Sequence, residues 1–223
     1  MISYALNDMY PTVQGEGTLT GLPMVLVRLH GCPVGCPFCD TKETWGSDED
    51  EQVKSIPEVL GANKRFTKVN ALTIATHARW MAPNIRWVML TGGEPALQPL
   101  SELVQALHEK RFKVALETSG TADGHIHSYV NWVCVSPKID MPGGKTLSPA
   151  AVHSADEIKM VIGKQADIEK LEHLLETYPT KKDVSICLQP MSAGKRATEL
   201  CMKTCLERGW RLSLQTHRLV NIR

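Results

Sequence analysis

Short apolar runs and amphipathic stretches alternate along most of this chain, and their order predicts its architecture. Met24 to Leu29 is an apolar run interrupted by one charge, Arg28, and reads as a buried strand. Ala71 to Met81 spaces Leu72, Ala75, Ala78 and Arg79 three or four apart and predicts a helix, which Pro83 ends. Trp87 to Leu90 is a strand. Leu100 to Phe112 is a helix with Leu100, Leu103, Val104 and Leu107 on one face. Strands follow at Lys113 to Leu116, Asn131 to Val135, Ile158 to Ile162, Val184 to Leu188 and Arg211 to Leu214, with helices at Ile168 to Tyr178 and Arg196 to Arg208. Strands alternating with helices of this length imply βαβ units and a parallel sheet. Polar or glycine-rich sequence follows the C-terminal ends of at least five strands, where barrel enzymes place their chemistry. About six units fall short of the eight in a closed barrel, so the expected fold is α/β, a partial (open) TIM-type barrel.

Two stretches depart from this rhythm. Residues 4 to 23 carry Gly15, Gly17, Gly21 and Pro23 and predict a short irregular hairpin extension at the N-terminus. Residues 42 to 70 are polar and poorly periodic, with an acidic run from Ser47 to Glu51. They read as an insertion of uncertain order within a single domain, 1 to 223.

Composition narrows the class. With 43% hydrophobic and 22% charged residues and a formal net charge of +1, no broad field points to nucleic acid or an anionic membrane as a partner. No apolar run approaches the roughly 20 residues that span a bilayer, and Met1 to Tyr10 lacks a basic-then-apolar signal pattern. Seven cysteines, an odd number, argue against a disulfide framework and for a reducing, cytoplasmic compartment.

Three of those cysteines carry the strongest chemical signal. Cys32, Cys36 and Cys39 form a C-x3-C-x2-C run directly after the first apolar strand. Three thiolates on so tight a loop are expected to converge on one point, a metal or an iron–sulfur cluster. Structural zinc usually takes two separated ligand pairs, and no second C-x2-C or H-x3-H follows. A four-iron cubane held by three thiolates keeps one iron open for another ligand. Cys134, Cys187 and the helical pair Cys201 and Cys205 read as small buried hydrophobes. Two readings stay open for Arg28: a structural ion pair with Asp8 or Glu16, or a fork for a carboxylate ligand. Gln14 and Glu16, two apart, share one side of an extended segment, as ligand contacts or as solvated edge residues.

The C-x3-C-x2-C run with Phe38 before its third cysteine resembles the radical S-adenosylmethionine enzymes. Thr91-Gly92-Gly93-Glu94-Pro95 resembles that superfamily's GGEP motif, which receives the methionine amino group. With Gln14-Gly15-Glu16-Gly17, Arg28, Cys39-Asp40-Thr41, Glu117-Thr118-Ser119-Gly120, Ser136-Pro137-Lys138 and Gln215-Thr216-His217, nearly the whole chain resembles the 7-carboxy-7-deazaguanine synthase family. Residues 42 to 85 are the least constrained part of the match. The gap of three residues between the first two cysteines is the common superfamily one, whereas many family members carry a longer gap. The resemblance implies a lyase that converts 6-carboxy-5,6,7,8-tetrahydropterin to 7-carboxy-7-deazaguanine with loss of ammonia, on the route to queuosine.

The resemblance also implies cofactors and contacts. A 4Fe-4S cluster is expected on Cys32, Cys36 and Cys39, and Mg2+ beside the substrate at Thr41. S-adenosylmethionine is expected to meet Phe38, Cys39, Asp40, Gly93 and Glu94, then Glu117, Ser119, Ser136, Pro137, Lys138 and Gln189. Substrate contacts are expected from Val13, Gln14, Gly15, Glu16, Arg28, Thr91 and His217, and from the terminal carboxylate of Arg223. Expected partners are the small pterin, a reducing flavodoxin or ferredoxin-type electron donor, and a second copy in a homodimer. Two other functions share some of these features. An activase that generates a glycyl radical on a partner protein would keep the cluster loop and GGEP but gives no reason for the Gln14 and Gln215 motifs. An electron-transfer module would want all four irons ligated by protein.

Overall fold

The computed structural model describes residues 2–46, 48–61, 65–122 and 129–222. Its strands are β1 (Ser3–Val13), β2 (Pro23–Leu29), β3 (Gln52–Val53), β4 (Phe66–Asn70), β5 (Trp87–Gly92), β6 (Lys113–Thr118), β7 (Trp132–Val135), β8 (Glu157–Ile162), β9 (Ser185–Pro190) and β10 (Arg211–Leu212). Among the described residues they form one sheet, ordered β10-β9-β8-β7-β6-β5-β2-β1-β4-β3. From β2 through β10 every pairing is parallel, whereas β1 runs antiparallel to both β2 and β4. The six consecutive parallel pairings bear out the open, partial barrel predicted from the apolar rhythm.

Helices cover the outer face. The four-residue α1 (Ile56–Val59), α2 (Ala71–Met81) and α3 (Ser101–Glu109) pack on one half, and α4 (Pro149–Ser154), α5 (Gln165–Thr177) and α6 (Lys195–Arg208) on the other. Alternation along each strand decides which residues meet them. Val25, Val27 and Leu29 of β2, Val88 and Leu90 of β5, and Val114 and Leu116 of β6 face outward into the first helix layer. Ile158 and Ile162 of β8 and Leu188 of β9 do the same in the second. On the inner face Met24, Met89 and Ala115 plug the bottom of the barrel.

The N-terminal hairpin extension is borne out as the antiparallel pair β1 and β2, and three details of the expected elements are corrected. The irregular hairpin begins with a strand of 11 residues, β1, whose alternation is broken by buried Asn7 and Asp8 and a register shift between Leu6 and Asp8. Asn7 donates to the Arg65 carbonyl at 2.8 Å, and the Asp8 carboxylate accepts from the Met9 amide at 2.8 Å and the Gly61 amide at 3.2 Å. These local partners let polar residues sit inside a strand. The second correction concerns 42–70: β4 extends the sheet on β1, and Ile56 and Val59 of α1 enter the core. The segment is polar because only a few of its side chains face inward. The third concerns α2, which buries Ala71, Ile74, Ala75 and Ala78, whereas Leu72 is exposed.

Candidate active site

The inner residues of the strands become polar toward their C-terminal ends, and the period of two dictates which ones line the interior. Leu26 and Arg28 of β2, Met89 and Thr91 of β5, and Glu117 of β6 line a cavity of about 310 Å³. Ser136 beyond β7, Lys159 and Val161 of β8, and Gln189 of β9 complete its wall.

The cluster loop follows β2 and borders this cavity with Cys32, Cys36, Phe38, Cys39, Asp40 and Thr41. Backbone bonds place it: Gly31 N donates to Thr44 O at 2.8 Å, Glu94 N to Gly31 O at 2.9 Å, and Gly143 N to Val34 O at 3.0 Å. The GGEP turn lies directly against the loop. A side chain on Gly92, whose φ is 141°, would meet Leu29 O at 2.0 Å, and one on Gly93 would meet Gly31 O at 2.3 Å. Gly92 therefore admits the end of β2 and Gly93 the start of the cluster loop, a closer approach than any Cβ allows.

The three thiols border the same cavity. Among the described residues no three His, Cys, Asp or Glu side chains stand as the ligands of a single ion. A cubane presents separate iron corners, so three thiols around one end of a cavity suit it in number and softness. Burial raises the Cys32 and Cys36 thiols above their ordinary value, with Lys138 opposing the shift at Cys36. Both would lose their protons on binding iron.

Glu94 and Pro137 stand outside the cavity wall. Glu94 is buried, and its carboxylate accepts from Ala96 N at 3.0 Å, Thr118 Oγ1 at 2.6 Å, Ser119 N at 2.7 Å and Ser119 Oγ. It ties the GGEP turn to the end of β6. Lys138 donates to Ser136 O at 2.8 Å and Ser136 Oγ at 2.6 Å, and burial pulls its ammonium below the ordinary lysine value.

Val13, Gln14, Gly15 and Glu16 cross the opposite side of the opening, and His217 meets them from the C-terminal segment. Thr216 N donates to Gly15 O at 2.9 Å, and Gln215 Nε2 to Glu16 Oε1 at 2.7 Å. The short helix α7 (Thr216–Leu219) is fastened to the cluster loop by Arg218 and Asp40 at 3.0 Å. Arg223 lies outside the described residues.

Glu16 is not the partner of Arg28. Its carboxylate meets the Lys159 ammonium at 2.5 Å, and that ammonium also meets Glu117 at 2.6 Å. Asp8 stands opposite Arg28 in the β1–β2 register. Burial works against the Glu16 charge, but Lys159, with help from Gln215 and His217, brings its carboxyl down to about 2. Burial likewise opposes the Lys159 charge, yet Glu117 and Glu16 prevail and raise it well above the ordinary lysine value. Sequence reasoning missed Lys159, although a lone charge inside the apolar run Ile158–Ile162 is the signal that drew attention to Arg28. Cys134, Cys187, Cys201 and Cys205 are buried as expected, and burial pushes the Cys187 and Cys201 thiols up to about 12.

Fold and site together define a radical SAM protein: the model of the radical SAM superfamily matches residues 26–177. The relatives narrow this further. The 7-carboxy-7-deazaguanine synthase of Escherichia coli (strain K12) is 42% identical over 99% of this chain and 100% of its own length. That of Buchnera aphidicola subsp. Schizaphis graminum is 37% identical over 99% of both chains. The crystal structure of QueE from Escherichia coli superposes with a TM-score of 0.90 at 40% identity, covering 95% of this chain and 93% of that one. The chain belongs to the 7-carboxy-7-deazaguanine synthase family of the radical SAM superfamily. Membership implies a 4Fe-4S cluster and S-adenosylmethionine as cofactors.

Proposed function

We propose that this chain converts 6-carboxy-5,6,7,8-tetrahydropterin to 7-carboxy-7-deazaguanine with loss of ammonia; its relatives are named for synthesis of that product. The observation that carries this is the cavity itself: three thiols suited to a cluster and polar groups suited to a carboxylated pterin line one open cavity. A cluster with S-adenosylmethionine, when bound, supplies a one-electron cleavage and the radical that begins the ring contraction. Cys32, Cys36 and Cys39 would hold the irons, leaving one open. Glu117, Ser119 and Ser136, which line the same cavity, would hold cofactor hydroxyl or amino groups. Arg28 offers a forked cation to the substrate carboxylate. Glu16 stays ionised and acts only as an acceptor, which suits the N–H edge of an aminopyrimidinone. Gln14, Thr91 and His217 add further polar contacts from the rim.

Thr41 supports a Mg2+ site between the two halves. Its hydroxyl lines the cavity 3.7 Å from the Cys39 sulfur, and a hard cation accepts neutral oxygen ligands with water and substrate completing its shell. Phe38, exposed on the cluster loop, suits a face that a flavodoxin- or ferredoxin-type donor would approach. Seven free cysteines suit a reducing cytoplasm, and exposed Leu206, Leu219 and Val220 suit a homodimer. A glycyl-radical activase accounts for neither the Glu16 loop nor the Gln215–His217 segment. Anaerobic reconstitution with S-adenosylmethionine, a reductant and the carboxy-tetrahydropterin tests the proposal: 5′-deoxyadenosine and deazapurine are expected together, and neither product from an intact cluster would overturn it.

A further inference from the structure

Lys159 sits mid-strand on the inner face of β8, its side chain 3% exposed, between two carboxylates that belong to different halves of the cavity. Glu16 comes from the loop between β1 and β2, on the side given above to the pterin. Glu117 comes from the end of β6, on the side given to the cofactor. A buried ammonium needs one carboxylate to balance its charge. Here it has two, at 2.5 and 2.6 Å, so the triad keeps an excess of one negative charge. The other buried acid on this strand, Glu157, is occupied by the Thr18 amide at 2.9 Å and is not a competing partner.

We propose that Lys159 is a positioning residue that couples occupation of the cofactor half to order in the substrate half. A ligand donor that engages Glu117 competes with Lys159 for that carboxylate and leaves the ammonium to Glu16. Glu16, also held by Gln215 Nε2 at 2.7 Å, is then fixed toward the pterin edge. One cation shared between two acceptors meets the requirement for coupling, because each ligand has a different interaction with the two arrangements of the ammonium. By linkage the effect is reciprocal: bound pterin tightens the cofactor to the same extent. The inference rests on the function proposed above for the two halves.

The test uses the cluster-loaded protein without reductant, so that nothing turns over. Calorimetric titration measures pterin affinity with and without saturating S-adenosylmethionine, and the converse. At least about a fivefold mutual enhancement is expected in the parent protein. It should fall to about one in Lys159→Met and in Glu117→Gln, and return in part in Lys159→Arg. A charge-balancing lysine with no coupling role would lower thermal stability in Lys159→Met and leave the enhancement intact. No enhancement in the parent, or full enhancement in either variant, overturns the proposal. If Lys159→Met does not fold, Glu117→Gln decides, since it keeps the Glu16–Lys159 pair. A parent protein that makes no deazapurine when reduced would defeat the proposed function, a separate result.

Discussion

Gly15 and His217 touch across the mouth of the cavity: a Cβ on Gly15 would stand 2.2 Å from His217 Nδ1 and 2.8 Å from its Cβ. No rotation of the imidazole clears the second contact. Gly15→Ala should therefore push the C-terminal segment off the loop that carries Glu16. The expected result is a rise in pterin KM by about tenfold or more, with the overpacking of a rim contact costing about 1–2 kcal/mol in thermal unfolding. An unchanged KM would separate His217 from the substrate.

Each of Cys32→Ala, Cys36→Ala and Cys39→Ala should abolish cluster absorbance and all turnover, because the three thiolates are the cluster's whole protein ligand set and hold three of its four irons. Retained product in any one removes that cysteine from the ligand set.

Glu94→Gln tests a residue that the superfamily motif gives to the cofactor and that the fold engages from within. Its carboxylate takes four donors from Ala96, Thr118 and Ser119. An amide in its place would turn an N–H2 group toward some of them, for a loss of about 2–3 kcal/mol. Denaturant unfolding should show this loss even without cofactor; a variant as stable as the parent would place the role of Glu94 in ligand binding alone.

Glu16 and Lys159 predict where stability responds to pH. The Glu16 carboxyl falls from 4.5 to about 2 on folding, so its contribution is complete above about pH 5 and is lost as pH falls toward 2. Lys159 is raised above 10.5, so its contribution is complete below that value and is lost only in strong alkali. Between about pH 6 and 9 the pair should leave stability flat. Glu16→Gln should reduce the acid loss between about pH 4.5 and 2, a difference on the order of 3 kcal/mol that acid titration of unfolding would read.

Thr41→Ala should change the Mg2+ dependence of turnover by about tenfold or more while leaving S-adenosylmethionine affinity within about twofold. An unchanged Mg2+ profile removes Thr41 from the metal site.

Much of this protein was legible along the chain because strand alternation and strand-end motifs are local properties. Val25, Val27 and Leu29 against Arg28 already state which side faces the helices and which faces the cavity. The cluster loop, the GGEP turn and the Ser136–Lys138 segment each follow their own strand, so a parallel barrel was bound to gather them at one end. Tertiary structure alone decided the pairing of groups distant in sequence. Lys159 meets Glu16 across 143 residues, and Gln215 meets the same carboxylate across 199. Such contacts depend on how far the barrel opens and where the Gln14–Glu16 loop crosses it, and no local pattern encodes either. The same limit hid β4, which has too few inward side chains to set a period, and left Glu16 open as a partner of Arg28 when it pairs with Lys159. It also hid the internal donors of Glu94, because a buried carboxylate takes the donors that packing brings nearest.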